Sequence, residues 1–171
     1  MKKILPFLTI IVIIAIIIII FLSMSNAKQM VVLKEGNISQ TPLEIILGKY
    51  QDSDCGMTID KMDYVSQVVA PDGKTWFFHD HGGMANWLKD KTFKDSAKIW
   101  VMTIDTKKYI DGRIAWYSRT DATPMGYGFG AYENKQDGFI TFEEMTLKML
   151  RNESLKNPYI KKELLGNNGS N

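Results

Sequence analysis

The chain opens on "ILPFLTIIVIIAIIIIIFL", residues 4–22, an apolar run of 19 positions without a charge. From residue 43 onward the pattern changes to short apolar groups separated by polar turns. "EIILGKY" and "DYVSQVVAPDGKTWFF" read as strands. The second is a hairpin turning at Pro71-Asp72-Gly73, residue types that favour a tight turn. In "MANWLKD", Met84, Trp87 and Leu88 fall at i, i+3 and i+4 and give a short helix one apolar face. "KIWVMTID" is the next strand, followed by "DGRIAWYS" and "GYGFGAY" as a second hairpin. "TFEEMTLKMLRN" predicts the best-specified helix: Thr141 and Glu144 form a capping box, and Phe142, Met145, Met149 and Leu150 line one face. The tail from Asn152, ending "GNNGSN", reads as frayed. A helix after each hairpin makes a weak internal repeat and places the chain in the α+β class.

The first 27 residues set the compartment. A run near 19 residues just crosses a bilayer core about 30 Å thick, and exceeds the roughly 7–15 residues of a signal-peptide core. Ser25-Asn26-Ala27 is a small-residue site of the A-x-A kind, so two readings stand: an uncleaved anchor, or a signal peptide cut after Ala27. Either way Lys2 and Lys3 stay cytoplasmic and the remainder faces outward. Residues 28–42 then read as a linker containing "MVVL", residues 43–155 as the domain, and residues 156–171 as a flexible tail. With Lys2 and Lys3 set aside, 19 basic residues face 19 acidic ones, so the exported part is formally neutral and shows no nucleic-acid signature.

Candidate chemistry begins with Cys55, the single cysteine of 171 residues. In an oxidising compartment a lone cysteine cannot close an intrachain disulfide. It is buried and inert, paired with another chain, or given to a metal. The polar, turn-prone "QDSD" before it argues against burial. Two positions on stands Met57, and "FFHDHGGM" and "TPMGYG" supply His79, His81 and Met125. Thiolate and thioether select Cu(I), with imidazole as an acceptable partner, whereas structural zinc asks for a closed set of thiolates and histidines. The candidate metal ligands are therefore Cys55, Met57, His79, His81 and Met125. Met57 and Met125 adjoin glycine outside any helical stripe, while Met84, Met102, Met145 and Met149 read as core. In a continuing strand His79 and His81 point to opposite faces, so both reach one ion only where the chain has turned, which Gly82-Gly83 permits. Asp80 between them is placed to orient an imidazole.

"CGMTI", "VSQVV", "DGKTWFF", "IWVMTIDTKKYIDGRIAWYS" and "TPMGYGFGAY" together resemble the NosL family, the accessory lipoproteins of nitrous oxide reductase assembly, over residues 52–142. "IDGRIAWY" followed by "PMGYGFGAY" is the specific part of the match. The resemblance implies two related ββα units in one domain, preceded by the apolar anchor or signal helix. It implies a periplasmic Cu(I) chaperone, held at the inner membrane through its N-terminal helix, that delivers copper to apo nitrous oxide reductase beside an ABC transporter complex. Family ligands fall on Cys55, Met57 and Met125. The chain departs from the family in three ways. His79 stands where many relatives carry a cysteine or an acidic residue, a second cysteine before "CGM" is absent, and so is a lipobox.

Rival readings have their own residues. "ENKQDGFITFEE" places Asp137, Gly138, Ile140 and Glu144 at calcium-loop positions 5, 6, 8 and 12, but Lys135 sits at position 3, where a carboxylate should bind. A single-cysteine enzyme would pair Cys55 with a histidine, yet no third orienting group is marked in the sequence. The chain is accordingly expected not to be an enzyme. A membrane-anchored interaction module without metal is the remaining alternative.

Overall fold

The computed structural model describes residues 5–25 and 30–166. Helix α1 spans Leu5–Ser25, 21 residues. Its side chains are described over residues 8–22, and among the described residues no helix is long and apolar enough to cross a membrane. Lys2, Lys3, Asn26 and Ala27 lie outside the described residues.

The rest is a mixed α+β body. Strands β1 (Leu33–Lys34), β2 (Ser66–Val69), β3 (Thr75–Phe78), β4 (Lys98–Met102) and β5 (Tyr109–Asp111) form one antiparallel sheet in the order β1-β3-β2-β4-β5. Strands β6 (Trp116–Tyr117) and β7 (Ala131–Tyr132) make a separate two-stranded ribbon. Helices α2 (His81–Leu88), α3 (Phe142–Leu150) and α4 (Pro158–Leu165) complete the four described.

Period-two alternation sends side chains to opposite faces and so builds a core on each side of the sheet. Val68, Phe78, Ile99 and Val101 pack with Met84 and Leu88 of α2 and Phe142 and Met145 of α3. Phe77 and Met102 look the other way, onto Ile45, Tyr50, Ile59 and Val65. Gln67 pins that second layer, its amide donating to Leu43 O at 2.8 Å and accepting from Leu43 N at 2.9 Å.

Several expectations meet the structure directly. The β2–β3 hairpin pairs Val69 with Thr75, and Gly73 N donates to Ala70 O at 2.9 Å across the expected turn. Thr141 and Glu144 make both bonds of the capping box of α3. Met84, Met102 and Met145 are buried.

Three expectations do not hold. "EIILGKY" forms no strand: its residues run through irregular chain and a turn, and only Tyr50 makes an isolated bridge, to Val31. Ile45 and Tyr50 are buried while Ile46 and Leu47 are exposed, so the run packs by two anchors rather than by a pleat. Part of the linker expected at residues 28–42 belongs to the body, because β1 pairs with β3 and Asn37 N bonds Gly73 O at 3.0 Å. The tail carries α4, capped by the Asn157 side chain with Pro158 in its first turn, two helix-start signals.

Candidate metal centre

The site forms where a polar turn meets the end of β3. Asp52 N donates to Met57 O at 2.8 Å and Gly56 N to Asp52 O at 2.9 Å, closing the chain into a tight loop. Gly56 takes φ +74°, a left-handed conformation that glycine adopts without steric cost. The loop is fastened to the sheet by Ser53, whose N–H donates to Phe77 O at 2.7 Å and whose hydroxyl accepts from Phe77 N at 3.2 Å.

Asp52 is the centre of this arrangement. Its Oδ1 accepts from Asp54 N at 2.7 Å and Cys55 N at 3.0 Å. Its Oδ2 accepts from His79 N at 2.8 Å and lies 2.6 Å from His79 Nδ1. One buried carboxylate thus fixes both the turn that carries Cys55 and the ring of His79. Burial pushes the Asp52 carboxyl up, but the His79 ring and the backbone N–H groups of His79, Cys55 and Asp54 outweigh it and hold it below its usual range. The bond to Asp52 raises His79 above the ordinary imidazole value against an opposing contribution from burial. Cys55 is raised, first by desolvation and also by the Asp52 charge, with the Met57 N–H acting the other way.

Cys55 Sγ lies 3.9 Å from His79 Nδ1, and one ligand atom from each of Asp52, Cys55 and His79 falls within 4.8 Å of the others. Metal–sulfur and metal–nitrogen bonds of about 2.3 and 2.0 Å put two such donors roughly 3.5 Å apart in a tetrahedral site and 4.3 Å apart in a linear one. The observed separation lies between these. The group can hold a metal ion, which would take the place of the proton on Nδ1 and have Oδ2 at hand.

Met57 is exposed and lines a cleft of about 800 Å³ with Thr58, Tyr64, His79, Ala122 and Pro124. Cys55 is exposed beside it, while Asp52 and His79 are buried. Pro124 brings the "TPMGYG" loop to the same cleft, but Met125 itself is not among the lining residues. Met125 N donates to Asp80 Oδ2 at 2.9 Å. Asp80 also caps α2, its Oδ1 accepting from Gly82 N at 2.9 Å, so the residue expected to orient an imidazole instead ties the Met125 loop to a helix. Orientation of His79 falls to Asp52. His81, the first residue of α2, is fully buried among Tyr64 and Tyr117, and desolvation pulls its pKa down to about 3. It is not brought to the Asp52–Cys55–His79 group in this conformation.

Asp52 is the member of this group that sequence reasoning missed. The available signal was an Asx turn, an aspartate whose side chain accepts N–H groups two and three residues on, in "DSDC". The same geometry bears on nucleophilic chemistry. In a nucleophile–base–orienter relay the thiol and the carboxylate occupy different ring nitrogens. Here both face Nδ1, and Nε2 is buried with no hydrogen-bond partner among the described residues.

The calcium-like loop is built otherwise. Glu144 Oε2 accepts from Thr141 N at 3.0 Å in the capping box, and Lys135 Nζ lies 4.4 Å from the centre of the Trp116 ring. No protein-family model matches this sequence, and no curated protein matches it.

Proposed function

We propose that the protein is a Cu(I)-binding chaperone, holding the ion between Cys55 and His79 with Asp52 behind them and Met57 at the rim. The convergence of a thiol and an imidazole within 3.9 Å at the edge of an open cleft is the observation that carries this reading. A thiolate with a soft thioether nearby suits the monovalent ion. An exposed sulfur leaves the ion reachable, so an incoming donor can displace the ligands one at a time. Copper here is cargo, taken up and given away.

The client is read from the NosL-like motifs: apo nitrous oxide reductase, with the ABC transporter complex of its assembly machinery as neighbour. The periplasmic reading rests on the sequence alone, where Lys2 and Lys3 precede the apolar run of residues 4–22, with the inner membrane or release by cleavage after Ala27 as its two forms. Support for two related units comes from the order of elements, since the β2–β3 hairpin is followed by α2, and β4 to β7 are followed by α3. The Asp52 carboxylate favours one rival ion: sulfur, nitrogen and oxygen donors with an open fourth position also suit zinc.

Anaerobic titration of the full chain with Cu(I) against a chromophoric chelator tests the proposal. One site is expected, and Cys55→Ser should weaken it by on the order of 100-fold, about 2.7 kcal/mol. Unchanged affinity in that variant removes the site. Tighter binding of Zn²⁺ than of Cu(I) assigns it to the rival ion.

A further inference from the structure

His81 is buried in full, and neither of its ring nitrogens has a hydrogen-bond partner among the described residues. Buried polar atoms are rarely left so, and each case asks for a cause. Its aromatic neighbours are Tyr64, at 6.4 Å between ring centres, and Tyr117, at 5.9 Å, both edge-on. A phenylalanine would pack there without stranding two polar atoms.

Tyr64 is the second unusual residue. It lines the metal cleft together with His79 and Met57, and its ring also meets that of His81 edge-on. Its backbone has φ +65°, a left-handed conformation costly for an aromatic residue, inside a turn closed by Val65 N donating to Met62 O at 3.2 Å. The helix that begins with His81 already touches the metal loop: a Cβ at Gly83 would lie 3.4 Å from Asp54 Oδ2. The backbone after His81 is fixed, since Gly82 N donates to Asp80 Oδ1 at 2.9 Å and a Cβ at Gly82 would meet Tyr127 at 2.6 Å, so the imidazole moves by rotation of its own side chain.

We propose that Tyr64 is a lid over a reserve imidazole, and that His81 enters the cleft as an added nitrogen donor to the metal when Tyr64 swings aside. The role rests on the Cu(I) reading above. An ion held by Cys55 and His79 has an open side facing a cleft of about 800 Å³, far more space than an ion fills. An unpartnered imidazole beneath the cleft wall gains a ligand bond by joining it. Loading then closes the site from within, and departure of His81 reopens it for transfer.

The test uses the full chain and two readouts. In the metal-free protein, diethylpyrocarbonate modification of His81 is followed by mass spectrometry, with Tyr64→Gly and Tyr64→Asn as lid variants that tolerate positive φ. His81 should react at least tenfold faster in both variants than in the parent protein, with the fold verified by circular dichroism. In the copper-loaded protein, His81→Phe should lower Cu(I) affinity about tenfold and remove one nitrogen donor from the X-ray absorption spectrum. An unchanged modification rate in both lid variants overturns the proposal. So does a His81→Phe protein with the parent affinity and donor count. If His81→Phe does not fold, the lid variants decide alone. Failure of the copper reading shows separately, as Cys55→Ser binding Cu(I) like the parent.

Discussion

Two polar, acidic turns in this chain look alike in composition and are put to opposite uses. Residues 52–57 carry Asp52 and Asp54, and residues 133–144 carry Glu133, Asp137, Glu143 and Glu144. In the first, Asp52 is buried and accepts from three backbone N–H groups and an imidazole. In the second, Asp137 is exposed and Glu144 is turned back onto its own helix start. Acidic residues at promising spacing therefore say little about ion binding. What separates the turns is whether a carboxylate is fixed by other groups and faces donors of a second kind.

The largest effect should come from removing the fixed carboxylate. Asp52→Ala strands three backbone donors and a buried histidine, and leaving such groups unmet costs about 3 kcal/mol or more in total. Asp137→Ala, exposed on the other turn, should stay within about 0.5 kcal/mol. Chemical denaturation of the metal-free variants measures both. Equal values would erase the contrast between the turns.

A middle-sized effect is expected at the second turn, for a reason unrelated to ions. Glu144→Ala deletes one arm of the capping box and should cost about 1 kcal/mol of stability. The loss should be the same with and without millimolar Ca²⁺, read as melting temperature. A calcium-dependent rise in the parent protein that vanishes in the variant would give this turn an ion after all.

The capping box was legible because its partners are three residues apart, and the β2–β3 hairpin because Pro71-Asp72-Gly73 specify a turn locally. Cys55 and His79 were legible as chemistry, from residue type and polar context. The role of Asp52 was not, since its partner His79 lies 27 positions away and only the packing of the turn against β3 unites them. The two histidines show the same limit. The strand ends at Phe78 and the chain has turned into α2 by His81, so alternation does not govern the pair, and it could not have said which one faces the sulfur. "EIILGKY" misled because a short continuous apolar run does not distinguish a strand from an irregular segment anchored at two points. The helix over Pro158–Leu165 was announced by Asn157 and Pro158, signals outweighed by the polar glycine-rich end beyond it.

The smallest effect belongs to Met57, and it sharpens the comparison within the first turn itself. Met57 is 45% exposed and its thioether is neutral, whereas the thiol two residues earlier lies 3.9 Å from the His79 ring. A donor that must be ordered before it can bind contributes less than one already in position. Met57→Leu keeps the volume and removes only the sulfur. Cu(I) affinity should fall by no more than about fivefold, under about 1 kcal/mol, with stability unchanged. The measurement is the same chelator competition, set beside a count of sulfur donors by X-ray absorption. A loss as large as that of Cys55→Ser would make the rim methionine an equal ligand, and would shift the centre of the site from the buried carboxylate toward the open cleft.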